Sequence, residues 1–171
     1  DEKPKQLIED SRKSIQMKKG SAKKQDYEYV RRGTANIFMA VEPKGGKRVT
    51  QVTDQRTKKD FAYFLRRVVK KYASADCIHI VLDNLNTHKE KSLNENFWPE
   101  QAAEILSKVE FHYTPTHASW LNVAEIEIGV MDHECTARRI KDKKLLKREV
   151  KEWNLRRNRQ RKKINWTFTK Q

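Results

Sequence analysis

The order of elements legible in the sequence predicts a mixed α/β fold, and three observations carry that reading. Residues 26–31, 34–42 and 48–53 are rich in Tyr, Val, Ile, Phe and Thr, the composition of strands. Residues 61–72 place apolar side chains at helical spacing, and residues 77–82 form an almost unbroken apolar run followed by a further helix and strand. Strands come first, helix and strand then alternate, and helices close the chain. That is the pattern of a mixed sheet flanked by helices.

Taken in order, residues 26–31 and 34–42 are joined by Arg32 and Gly33 and read as a β-hairpin. A third strand, residues 48–53, follows the Gly45-Gly46 turn. Thr57 then caps a helix, with Asp60 at the capping-box position, and Phe61, Phe64, Leu65, Val68, Val69 and Tyr72 make its apolar stripe. The run from Cys77 to Leu82, interrupted only by His79, reads as a central strand buried on both faces and ending at Asp83. A helix over residues 99–107 and a strand over 109–113 follow. A helix starting at Ser119 or Trp120 buries Leu121, Ala124, Ile128 and Met131, and a last one over residues 142–157 buries Leu146, Val150 and Trp153. Residues 18–24 are the nearest thing to a flexible loop, and no internal repeat is present.

A chain of 171 residues can bury one ordinary core. We divide it into a catalytic-type core over residues 1–137 and a basic helix and tail, residues 138–171, packed on it. No stretch approaches the roughly 18 apolar residues of a membrane span, and the start carries no secretory-type apolar segment, so a soluble, cytoplasmic, nucleoid-associated protein without membrane contact is expected. Cys77 and Cys135 are too few and too far apart for a disulfide framework or a zinc pair and are expected as reduced core thiols. His133 and Cys135, without further ligands nearby, make no zinc site either.

Charge points to the partner. The formal net charge is +15, and residues 138–163 hold fourteen Lys and Arg against Asp142, Glu149 and Glu152, so the excess is a patch. A polyanion fits such a patch, because each cation placed on a phosphate releases condensed counterions. Double-stranded DNA is the expected partner, tracked by Arg138, Arg139, Lys143, Lys144, Lys147, Arg148, Lys151, Arg156, Arg157, Arg159 and Arg161. Trp153 continues the Leu146, Val150 spacing and reads as core, whereas Trp166 has too little context to assign.

Phosphodiester chemistry with two divalent ions about 4 Å apart needs carboxylates that converge where strands and helices end. Asp83 closes a strand and lies at the carboxyl edge of the sheet, where sites of open α/β folds form, although Asp-Asn is also ordinary turn chemistry. Glu125 sits at the edge of its helix's buried face, from which an acid can look into a cleft. Glu127 points to a different side, and Asp132, on the same face as Glu125, is the reserve candidate.

Several separate stretches agree in order and spacing with one family. IHIVLDNLNTH, EFHYTPTHASWLNVAEIEIGVM, RRIKDKKLLKREVKEWNLRRN and INWTF, preceded by DEKPKQL and DYEYVRRGTANIFMAVEP, resemble the catalytic domain of bacterial insertion-sequence transposases in the mariner-related branch of the DDE superfamily. The resemblance covers nearly the whole chain and implies a ribonuclease-H-like fold whose first strand is truncated at the N-terminus. It also implies three carboxylates, Asp1, Asp83 and Glu125, binding two Mg²⁺ or Mn²⁺ ions for DNA cleavage and strand transfer. The pattern of residues and the resemblance meet on Asp83 and Glu125; Asp1 comes from the resemblance alone. Asn84, His88, His117, Trp120 and Asn122 lie inside the shared motifs and are expected to shape the site. A homodimer is implied because two element ends must be handled together. Full-length relatives carry a helix-turn-helix region not found in this sequence, so DNA binding without much sequence selectivity is expected. An inactive DNA-binding remnant is the alternative.

Overall fold

The computed structural model describes residues 1–22, 24–115 and 121–165. His117, Trp120, the expected helix start at residue 119 or 120, and Trp166 lie outside them.

The fold is mixed α/β. Strands β1 (Glu2–Asp10), β2 (Tyr29–Glu42) and β3 (Lys47–Thr53) form an antiparallel sheet in the order β1-β2-β3. Helix α1 (Lys58–Lys71) leads to β4 (Ile78–Leu82), then to α2 (Lys91–Asn94), α3 (Pro99–Ser107) and β5 (Val109–Tyr113), which pairs in parallel with β4. Helix α4 (Val123–Met131) runs on into a π-helical turn, Asp132–Thr136, and α5 (Lys143–Gln160) is the last described helix. Among the described residues no helix is long and apolar enough to cross a membrane.

Three expectations are corrected here. The hairpin over residues 26–42 is one continuous strand, β2, and its partner is β1. The Arg32-Gly33 signal marks a bulge instead: pairing runs from Gln6↔Thr34 to Ile8↔Arg31, Gly33 takes φ +90, and its carbonyl accepts from Gln6 Nε2 at 2.6 Å. Glycine enters that left-handed region without a Cβ penalty, so the extra residue is absorbed as a bend rather than a turn. Second, the strand buried on both faces is β2 and not β4. Ile37 and Met39 face one apolar cluster and Phe38 the other, whereas β4 alternates, leaving His79 and Val81 exposed. An apolar run cannot by itself say which strand is central. Third, Cys77 is exposed, while Cys135 is buried as expected.

In the stretch read as the nearest thing to a flexible loop, Lys18 and Ser21 exchange backbone hydrogen bonds, and Lys24 does so with Ile15.

The core has two halves around the three-stranded sheet. On one face Ile37, Met39 and Leu7 pack against Ile128 and Met131 of α4 and Leu146, Val150 and Trp153 of α5. On the other, Phe38 and Val49 pack against Phe61, Phe64, Leu65 and Val68 of α1 and Leu82 at the end of β4. Helix α1 starts where the sequence placed it: the Thr57 hydroxyl and the Asp60 carboxylate complete a reciprocal capping box.

Candidate active site

The site forms where three elements end. Asp1 immediately precedes β1 and is paired to β2 through backbone bonds in both directions, Met39 N–H to Asp1 O at 2.8 Å and the Asp1 amine to Met39 O at 3.0 Å. Its position is thus part of the sheet ladder. Asp83 follows directly on β4, and Asn122 caps α4, its side chain accepting from Ala124 N–H at 3.1 Å. Asp1, Leu82, His88, Asn122 and Ala124 line one cleft of about 450 Å³, whose apolar walls come from β2, α1 and β4.

His88 is the hub of this arrangement. Its ring is buried and lies between two carboxylates, with Nδ1 at 2.5 Å from Asp83 Oδ1 and Nε2 at 2.9 Å from Glu2 Oε2. Phe61 packs against the ring at 4.8 Å between centroids, and the Tyr113 hydroxyl donates to the His88 carbonyl at 2.9 Å. Each ring nitrogen thus faces a carboxylate oxygen. Burial works against the charged form of Glu2, but the hydrogen bond and charge of His88, with the chain amine and Arg56, outweigh it and hold the Glu2 pKa below its ordinary value. Burial likewise pushes the pKa of the Asp1 amine down, against the pull of the Glu2 and Asp83 carboxylates, so both acids act electrostatically on Asp1.

The structure brings some of the predicted site residues together and leaves others apart. Asp1, His88 and Asn122 line the cleft, and Asp83 stands beside it, held by the His88 ring. Glu125 lies one residue beyond the cleft-lining Ala124, in the first turn of α4, and is exposed; its side chain has no hydrogen bond or ion pair among the described residues. Asn84 is exposed and accepts from Lys89 Nζ. Asp132, the reserve acid, is tied to Lys3 at 2.7 Å and accepts from the Thr136 hydroxyl at 2.7 Å. Glu2 escaped sequence reasoning. It stands in the DEKP motif next to Asp1, but strand alternation sends neighbours to opposite faces, and only the fold shows that its carboxylate meets His88.

The donor set fits a hard divalent cation. Asp83 uses Oδ1 on His88 and Asp1 uses Oδ1 on the Glu2 amide, which leaves the second oxygen of each, and carboxylate oxygen is the donor such an ion prefers.

Along α5 the basic residues divide. Lys144, Lys147, Arg148, Lys151, Arg159 and Arg161 are exposed, as is Arg156, which also reaches Glu134 at 3.1 Å. Lys143 is half-buried and pairs with Asp54. Arg138 pairs with Glu149. Arg139 and Arg157, read as phosphate contacts, have internal partners instead. Arg139 holds Asp10 at 2.8 Å and backbone carbonyls of residues 26–28, and Arg157 holds Glu127 at 3.0 Å.

A mixed α/β fold with acids at the ends of strands is compatible with carboxylate-held metal chemistry on phosphodiesters. Residues 1–147 match the family model described as DDE superfamily endonuclease, and the chain belongs to that family. The fold is compatible with the ribonuclease-H-like architecture of DDE enzymes. No curated protein and no solved structure matches the chain.

Proposed function

We propose that this chain is the catalytic domain of a DNA transposase of the insertion-sequence, mariner-related type, which cleaves DNA strands and joins the freed 3′-hydroxyl to a target. The observation that carries the reading is that Asp1 lines one cleft while Asp83, at the end of another strand, is held by the cleft-lining His88, beside the turn of α4 that bears Glu125. Asp1, Asp83 and Glu125 would hold two Mg²⁺ or Mn²⁺ ions. Such ions, when bound, would supply Lewis-acid stabilisation of charge during phosphodiester cleavage.

The chain's own residues supply position. β1 and β4 hold the first two acids on rigid backbone, and Asn122 caps the helix that carries the third. His88 locks the Asp83 carboxylate by one oxygen, so the acid does not have to be ordered when substrate arrives. The exposed cations of α5 track DNA phosphates outside the cleft, and a homodimer would bring two element ends together.

The test is a nicking and strand-transfer assay on short duplexes with Mn²⁺, comparing this chain with Asp83→Ala and Glu125→Ala. Metal-dependent cutting and joining, abolished by either substitution with duplex binding retained, is expected. Cutting that survives both substitutions overturns the three-acid assignment. Binding without cutting by the unsubstituted chain, with any divalent ion, leaves an inactive DNA-binding remnant.

A further inference from the structure

A second cluster of ligating side chains lies away from the carboxylates, on the exposed face of the β4–β5 pair. Parallel pairing sets His79 opposite Glu110 and Val81 opposite His112, and the two-residue period of a strand puts Cys77 and His79 on the face shared by Glu110 and His112. The ligand atoms of Cys77, His79 and Glu110 all lie within 4.8 Å of one another. His112 joins them, its Nε2 at 3.0 Å from His79 Nδ1 and 3.4 Å from Glu110 Oε1. His79 Nδ1 is itself 3.4 Å from Glu110 Oε2. All four residues are exposed, so core packing does not account for their company.

The geometry points to a binding site for a Zn²⁺-class divalent cation formed by Cys77, His79, Glu110 and His112. One thiolate, two imidazoles and one carboxylate are a borderline-soft donor set that prefers Zn²⁺ to Mg²⁺. Ordinary Zn–S and Zn–N bond lengths and tetrahedral angles put ligand atoms roughly 3.3–3.8 Å apart, and small rotamer adjustments bring this cluster to that spacing. The site stands apart from the acids, although Cys77 and His79 also border the cleft: Asp83 comes four residues after His79 along extended chain, roughly 13 Å away. A cation there clamps β4 to β5 across their exposed face. A two-stranded ladder with one bare face is marginal alone, so the clamp steadies the strand that delivers Asp83.

The experiment is Co²⁺ and Zn²⁺ binding to the reduced chain with excess Mg²⁺ present. It compares the unsubstituted protein with Cys77→Ser, with the double variant His79→Ala/His112→Ala, and with Asp83→Asn. Expected are one tightly bound ion per chain, a sulfur-to-cobalt charge-transfer band in the near ultraviolet, and a Zn²⁺-dependent rise in melting temperature. Cys77→Ser should abolish the band, the double variant should weaken binding by about a hundredfold or more, and Asp83→Asn should leave both unchanged. All substituted ligands are surface residues, and circular dichroism checks that each variant folds. Absence of tight binding, or binding unmoved by the double variant yet lost in Asp83→Asn, overturns the proposal.

Discussion

Arg48 and Glu127, from β3 and α4, form an ion pair at 2.8 Å with both side chains shut away from solvent. Arg157 of α5 closes on the same carboxylate at 3.0 Å, and Arg48 Nη1 donates to the Gly46 carbonyl at 2.7 Å. This knot sets the rotation of α4. With Glu127 turned into the protein, Glu125 lies two residues back, roughly 200° around the helix, and faces outward.

Removing Glu127 therefore strands the buried Arg48 guanidinium, whose Nη2 already has no hydrogen-bond partner among the described residues, and leaves Arg157 with only Glu134. Glu127→Ala is expected to destabilise the fold by about 3–5 kcal/mol, read from the urea midpoint. The double variant Arg48→Met/Glu127→Leu should cost much less, because it removes both charges together. A single-variant loss below about 1 kcal/mol would show that the pair is not what holds α4.

His88→Ala should reduce both stability and cutting. The variant leaves the buried Glu2 carboxylate and Asp83 Oδ1 without their partner, a loss of about 1–3 kcal/mol. Glu2→Gln removes one side of the bridge only and should retain more activity than His88→Ala. Equal activity in His88→Ala and the unsubstituted chain, measured well below the melting temperature, would remove His88 from the positioning of Asp83.

On α5, Lys144, Lys147 and Lys151 are exposed at spacings that share a helix face. Changing all three to Gln should lower duplex affinity without changing sequence preference, and each lost phosphate contact should flatten the salt dependence by about 0.9 in log–log slope. Arg139→Gln should instead act mainly on stability, since its partners are Asp10 and the backbone of residues 26–28. Isothermal binding at several salt concentrations, with melting curves alongside, separates the two outcomes.

Acid should loosen the contact between β1 and the π-helical turn. Burial raises the Asp132 pKa, but the Lys3 ion pair and the Thr136 hydroxyl outweigh it, and the net shift is downward. A depressed folded-state pKa contributes stability that is present above the unfolded value of about 3.9 and lost as pH falls through the folded one. Asp132 is a third exposed, so solvent screening keeps the contribution below about 1 kcal/mol. Asp132→Asn should flatten the acid limb of a melting-temperature titration without moving the neutral plateau by more than that.

By itself the sequence determined what local chemistry decides. Thr57 and Asp60 write a helix start into adjacent residues, the stripe from Phe61 to Val68 names its buried face, and Leu146, Val150 and Trp153 do the same for α5. Asp83 was legible because a strand ends just before it, and the mixed α/β class followed from the order of such signals. Only the tertiary structure decided which strand is central, whether Arg32-Gly33 turns or bulges, that Glu2 and Asp83 meet across His88, and that Cys77 stands beside His79 and Glu110. It also separated Arg139 and Arg157 from their exposed neighbours, which composition cannot do. The reason is physical: capping and periodicity act over a few residues and leave a local mark. Strand partners, buried ion pairs and ligand clusters join residues tens of positions apart, and their energy exists only once the chain has closed around them.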